Sequence, residues 1–275
     1  MSAAGRVALS GRLRPYWAVL QARFRMLLQY RAAAMAGLVT QLFWGGIRMM
    51  AFDAFFRSST AVQPMSYEQT VTYVWLIQAL LLLLPMRLDG EIMQMIRTGN
   101  LVYELARPID LYAYWYTRNI AGRVAPALLR ATPMVIIAGL FLGLQAPASW
   151  ASAGAFALSL VGAVALSAAI TTLSIITVIL TISGEGLTRL LMAVSWLLSG
   201  AILPLPLFPD WAQTVLNWLP FRGLMDIPFR LYCGDLDPGA VWGLLLHQVV
   251  WSLVFILWGR WMLSRISRRL VIQGG

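Results

Sequence analysis

The chain has 275 residues, 60% of them hydrophobic and 12% charged, with a mean hydropathy of +0.73. A soluble domain carries about 25% charged residues, so this balance excludes an ordinary soluble enzyme and indicates an integral membrane protein. The net charge of +10 comes from 21 basic residues, all arginine, against 11 acids, and the positions of those arginines argue topology rather than nucleic-acid binding.

Residues 15–31, PYWAVLQARFRMLLQYR, set Trp17, Leu20, Phe24, Leu27 and Leu28 on one helical face and Gln21, Arg25 and Gln29 on another. That pattern predicts an amphipathic helix lying at the inner membrane interface, the alternative being a frayed basic tail. No apolar core precedes residue 32, so no cleaved signal peptide is expected and the first span serves as its own insertion signal. Span 1, about 32–52, carries Gln41, Gly45 and Arg48 on one face. Intramembrane polar groups normally face a bundle interior or water, which makes that face a pathway or subunit-interface candidate. The competing reading has Arg48 snorkel to the outer headgroups.

Span 2 covers about 67–86, and residues 87–118, RLDGEIMQMIRTGNLVYELARPIDLYAYWYTR, form the charged segment around which the chain is organised. Gly99-Asn100 signals a turn and Pro108 suits the first position of a helix, with Asp110 in its first turn. The expectation is a short helix, a turn and a second helix, with Glu104, Arg107 and Asp110 spaced by three and able to pair. Such a compact charged knob suits docking to another protein; a plain loop between two spans is the alternative.

Span 3, about 119–144, carries Arg123 and Arg130 seven apart and hence on one face. They either line a wet vestibule or lie at the interface of a span that begins later. Span 4, about 151–182, has a small residue every fourth position: Ala151, Ala155, Ser159, Ala163, Ser167 and Thr171. This stripe predicts close helix packing. A short connection with Glu185 and Arg189 in the favourable i,i+4 order leads to span 5, about 187–203.

In 204–238 the prolines at 204, 206, 209 and 220 break the chain into two segments too short to span, predicted as paired re-entrant or interfacial helices. Asp210 is a candidate cap for the first, with Trp211, Val215, Trp218 and Leu219 as its apolar face. Cys233, the only cysteine, has no intrachain disulfide partner. Span 6, about 241–263, contains His247, the only histidine, read as a structural group.

These runs give one all-α membrane domain over 1–275 with six transmembrane helices. With the amino terminus inside, sixteen arginines and five acids fall on the cytoplasmic side against three arginines and six acids outside, and both termini are cytoplasmic.

The run IRTGNLVYELARPIDLYAYWYTRN resembles the cytoplasmic segment of ABC-2 type permeases, in particular the small six-span branch with a Gly-x-Leu/Val…Leu-x-Arg-Pro pattern after the second span. SGAILPLPLFPDWAQTVLNWLPF and the terminal RRLVIQGG resemble the same branch. The resemblance implies that 87–118 includes the coupling helix, with Gly99, Glu104, Arg107, Pro108 and Asp110 shaping an ATPase contact. It also implies a permease half of the bacterial inner membrane, pairing with itself or a related permease and with two ABC ATPase subunits. Such a permease exports an amphipathic or toxic organic compound.

The residues themselves bear on energy coupling. A P-loop needs lysine on the phosphates and this chain has none, so ATP would be hydrolysed on a partner subunit, with no cofactor in this chain. Two other classes compete: an ion-coupled secondary transporter and an intramembrane enzyme. Both normally need carboxylates or a histidine cluster well inside the spans, which this sequence lacks.

Overall fold

The computed structural model describes residues 3–29, 31–60, 62–105, 108–180 and 185–272, and among these every regular element is helical. Eleven α-helices follow in order: α1 (Ala3–Leu27), α2 (Arg31–Ser58), α3 (Tyr67–Leu80), α4 (Gly90–Arg97), α5 (Leu101–Leu105), α6 (Leu111–Phe141), α7 (Trp150–Leu180), α8 (Glu185–Leu198), α9 (Asp210–Trp218), α10 (Asp226–Cys233) and α11 (Val241–Ile272). Among the described residues, three segments are long and apolar enough to cross a bilayer: Leu111–Phe141, Trp150–Ile179 and Pro238–Ser267. They correspond to α6, α7 and α11.

Spans 2 and 5 are not the unbroken helices that the hydropathy suggested. Each is a helix of 14 residues, α3 and α8, rising roughly 21 Å against a hydrocarbon core of roughly 30 Å. In α3 the cause is Pro85, which disfavours helical backbone in the residue before it. The chain passes through a 3₁₀ turn at Leu81–Leu83, and Leu84 is extended at φ −65°, ψ 148°. After α8 the prolines at 204 and 206 prevent continuation.

The start of α3 is fixed locally. Ser66 Oγ accepts the Gln69 N–H at 3.1 Å and Gln69 Oε1 accepts the Ser66 N–H at 2.9 Å, a reciprocal capping box. From Thr70 to Leu80 every residue of α3 is buried, so this short helix is the centre of the molecule, held by α2, α6 and α10. The main core joins Tyr73, Trp75, Leu76 and Ile77 to Leu166, Ile170 and Leu173 of α7 and to Phe229 of α10. Helix α7 packs along α11, α10 and α6, and five of its six predicted stripe residues are buried, Ala151 alone being exposed.

The first helix begins at Ala3 rather than at 15, continues through Pro15, and lies along α6. Gln21, Arg25 and Gln29 are exposed as the amphipathic pattern requires, while Trp17 of the apolar face is exposed too. In the 204–238 segment two short helices do form, α9 and α10. Asp210 is the first residue of α9 and not its cap; Pro209 holds the cap position and makes no side-chain cap bond. The apolar face of α9 is turned outward, with Trp211 76% and Trp218 78% exposed, and it is Ala212 and Leu216 that pack inward.

Candidate functional site

The charged segment folds as a helix, a turn and a helix. Asp89 opens α4 by accepting the backbone N–H groups of Glu91 and Ile92. Gly99 adopts φ +75° and reverses the chain after α4, a conformation that residues with a Cβ rarely take. Ile92, fully buried, anchors α4 in a second core with Leu101, Leu111, Trp115, Ile175 and Leu263.

Four charges lock this knob to the bundle. Arg23 of α1 reaches Asp89 at 3.0 Å and Glu91 at 2.7 Å, and Arg118 of α6 reaches the same two carboxylates at 2.8 and 2.9 Å. Burial pushes the Asp89 carboxyl up from its ordinary value, while Arg23 and the two capping N–H groups pull it down. On the far side Arg260 of α11 pairs with Asp110 at 2.8 Å and lies over the Tyr112 ring. The hydroxyl of Tyr16 in α1 accepts the Asp110 N–H. The knob is thus tied to α1, α6 and α11 at once.

The sequence-predicted residues sort as follows. Gly99 and Pro108 are exposed. Glu104 is only 4% exposed and faces inward, so its carboxylate is withheld from the surface. Asp110 is the N-cap of α6, its side chain accepting the Ala113 N–H, instead of lying in the first turn. Residues 108 and 109, ahead of α6, are not helical, so Glu104 and Asp110 do not share one continuous helix, and Asp110 pairs with Arg260. Arg107 lies outside the described residues, as do 183 and 184 of the 183–189 connection and the end of the RRLVIQGG tail. What α4 and α5 present outward is Gly90, Glu91, Gln94, Arg97 and Tyr103, with Thr98 exposed at the end of α4. Arg23, Asp89, Glu91 and Arg118 were not singled out from the sequence; the Asp-Gly-Glu run at a helix start was the signal for two of them.

Beside the knob two cavities open, of 480 and 550 Å³, sharing Leu27, Arg87, Gly122 and Arg123 in their walls. The first is lined by Gln41, Arg87, Arg123 and Arg130 among leucines, and so joins three of the four residues proposed for a pathway. Arg123 is buried and donates to Ser167 Oγ, Thr171 Oγ1 and the Asn119 carbonyl, and Ser167 in turn donates to the Leu83 carbonyl. The stripe residues of α7 therefore do more than allow close packing. They supply partners for an intramembrane arginine and for a carbonyl released where α3 breaks. Arg130 lies against α2 where Gly37 has no Cβ; any Cβ there would collide with its guanidinium.

Arg48 is elsewhere. Its Nη1 donates to the Ala201 carbonyl at 2.6 Å, which ties α2 to the turn that follows α8. Near it, α10 holds a fully buried Asp226, with Arg230 at 3.4 Å, Arg222 at 4.0 Å and the Tyr73 hydroxyl at 3.5 Å. Burial pushes the Asp226 carboxyl up, and Arg230 and Arg222 oppose this. In α11, Gln248 beside His247 donates to the carbonyls of Ser159 and Gly223, a structural polar bridge.

Among known families, the model described as ABC-2 family transporter protein matches residues 42–274. Neither a curated protein nor a solved structure matches the chain.

Proposed function

The chain belongs to the ABC-2 family of transporter proteins, and from that membership we propose that it is the membrane-spanning permease subunit of an ATP-driven exporter of amphipathic organic compounds. In this reading α2, α3 and α8 complete a six-span domain with α6, α7 and α11. Helix α1 lies at the inner interface, α9 and α10 dip into the outer leaflet, and both termini are cytoplasmic in a bacterial inner membrane. Two such chains, or this one and a related permease, assemble with two ABC ATPase subunits.

The observation that carries the proposal is the knob. A surface meant to relay force must be stiff and must be bonded to the elements it moves. Here α4 is held by ion pairs to α1 and α6 and by Ile92 in the core beneath, and Asp110 at the start of α6 is paired with Arg260 of α11. A displacement of α4 by a closing ATPase would move those three helices as a body, the rigid-body form of switching. The exposed face of Gln94 and Tyr103 is the docking surface in this reading, with Glu104 beneath it and Asp110 exposed at its edge.

The experiment is co-purification of the chain with the ATPase encoded beside it, followed by ATP hydrolysis in liposomes. Tyr103→Ala and Gln94→Arg should lower ATPase retention and coupled hydrolysis at least fivefold while leaving the amount of inserted permease unchanged. Retention and coupling at full strength in both variants, or substrate movement without any ATPase, would refute the proposal and favour an ion-coupled transporter.

A further inference from the structure

The 480 Å³ cavity beside the knob is asymmetric in charge. Its wall carries Arg87, Arg123 and Arg130 and no acidic side chain. The neighbouring 550 Å³ cavity does contain Asp89 and Glu91, but both are already shared between Arg23 and Arg118. Arg123 is bonded only to neutral oxygens, from Ser167, Thr171 and Asn119. Arg130 Nε is buried with no hydrogen-bond partner, and the Arg87 and Arg130 charges oppose one another. Three like charges converging on a space walled by α6 in a membrane protein are costly unless an anion joins them.

Apart from the neutral amide of Gln41, the rest of the wall is apolar, with Leu27, Leu81, Leu82, Leu84 and Leu129 as its larger side chains. A cavity of this size falls in the range of roughly 300–1,000 Å³ typical of small-ligand sites, enough for a headgroup and the first part of a tail. Guanidinium forks suit the oxygens of a phosphate or carboxylate. We infer that this cavity binds an amphipathic anion, its phosphate or carboxylate headgroup held by Arg87 and Arg130 and its tail lying on the leucine wall. The inference deepens the permease reading by giving the substrate class a charge, and it argues against a cationic cargo at this site. The same chemistry is offered by an anionic membrane lipid and by an exported amphiphile.

The test needs no ATPase, so its failure leaves the coupling reading untouched. The purified chain in dodecyl maltoside is titrated by calorimetry with dodecyl phosphate, inorganic phosphate and dodecyltrimethylammonium. Dodecyl phosphate should bind once per chain, at least tenfold tighter than inorganic phosphate, and dodecyltrimethylammonium should show no saturable binding. R87Q/R130Q should weaken dodecyl phosphate tenfold or more, and R87K/R130K should stay within threefold of the native chain. If the double glutamine variant does not fold, Arg87→Gln alone, at an exposed position, should weaken binding at least threefold. Mass spectrometry of lipid held by the purified chain separates the sources. A phosphatidylglycerol displaced by dodecyl phosphate marks a resident lipid, whereas an empty chain that binds dodecyl phosphate marks a cargo site, and both support the inference. Equal binding of inorganic phosphate or of the cation, or unchanged binding in the glutamine variants, would overturn it.

Discussion

Arg118 of α6 places Nε and Nη2 on one carboxylate oxygen of Asp89, at 3.0 and 2.8 Å, while the other oxygen of Asp89 caps α4. One side chain therefore both starts the outward helix of the knob and fixes it to a membrane-spanning helix. Arg23 adds a second guanidinium from α1, so the joint has three elements and no single hinge.

Replacing Arg118 by Met should cost about 3 kcal/mol, the lower end of the range for breaking a buried pair, because Arg23 continues to neutralise Asp89. Asp89→Asn keeps a cap acceptor and loses the charge, whereas Asp89→Ala loses both, so the alanine variant should be the less stable by about 1 kcal/mol. Thermal unfolding in detergent reads both. Identical melting points for D89N and D89A would show that the cap contributes nothing.

At the break below α3 the chain Arg123, Ser167 and Leu83 carbonyl is a relay of hydrogen bonds. Ser167→Ala strands the Leu83 carbonyl and removes one acceptor from Arg123, which should cost roughly 1–3 kcal/mol. Arg123→Met removes the charge and leaves Ser167 to serve Leu83. Because the two side chains share one network, the double variant should lose clearly less than the two single losses added together, as a double-mutant cycle would show. Strict additivity would mean that the relay does not act as a unit.

Much of this architecture was legible in the residues and some was not, for identifiable reasons. The turn at Gly99, the break into short helices around Pro209 and Pro220 and the buried stripe of α7 all follow from local chemistry, which a sequence displays. The break after α3 is not legible from hydropathy, which weighs Leu81–Leu84 as membrane-spanning and is blind to the constraint Pro85 imposes on Leu84. Ala201 is 153 positions from Arg48, Arg260 is 150 from Asp110, and Asp89 and Glu91 are 29 and 27 from Arg118, and no periodicity reveals such pairings. The outward face of α9 was read as apolar, which it is, but composition alone does not say whether such a face meets protein or the surroundings.

Cys233 sits with its Sγ 3.6 Å from the Gln69 carbonyl, and burial, with a smaller push from the Asp235 charge, raises its thiol from 9.0 to about 12. At pH 7.5 this leaves about a thousandfold less thiolate than an ordinary cysteine would offer, and maleimide labelling of the native chain should slow accordingly. Below pH 9 the thiol is protonated in folded and unfolded chains alike and adds no pH dependence. Between pH 9 and about 12 the folded chain retains a proton that the unfolded chain loses, so stability should fall as pH rises through that window. Rapid labelling at pH 7.5 would contradict this half-buried placement. For mapping the membrane side, Val62, fully exposed between α2 and α3, is the better site: V62C with Cys233→Ala should react with an impermeant reagent from outside intact cells.

Asp226 is fully buried at the start of α10, and its two guanidiniums are not equivalent. Arg230 also holds Asp235 at 2.5 Å, so it keeps a carboxylate if Asp226 is neutralised. Arg222 has Asp226 at 4.0 Å as its carboxylate and otherwise donates to the Asn217 carbonyl. Asp226→Asn should therefore destabilise the chain by roughly 3 kcal/mol, chiefly by leaving Arg222 charged and uncompensated in a buried site. It follows that D226N/R222M should unfold at a higher temperature than D226N, while D226N/R230M should not, since removing Arg230 strands Asp235 in its turn. Equal behaviour of the two double variants would show that the pairing with Arg222 does not determine how this outward end of the bundle is held.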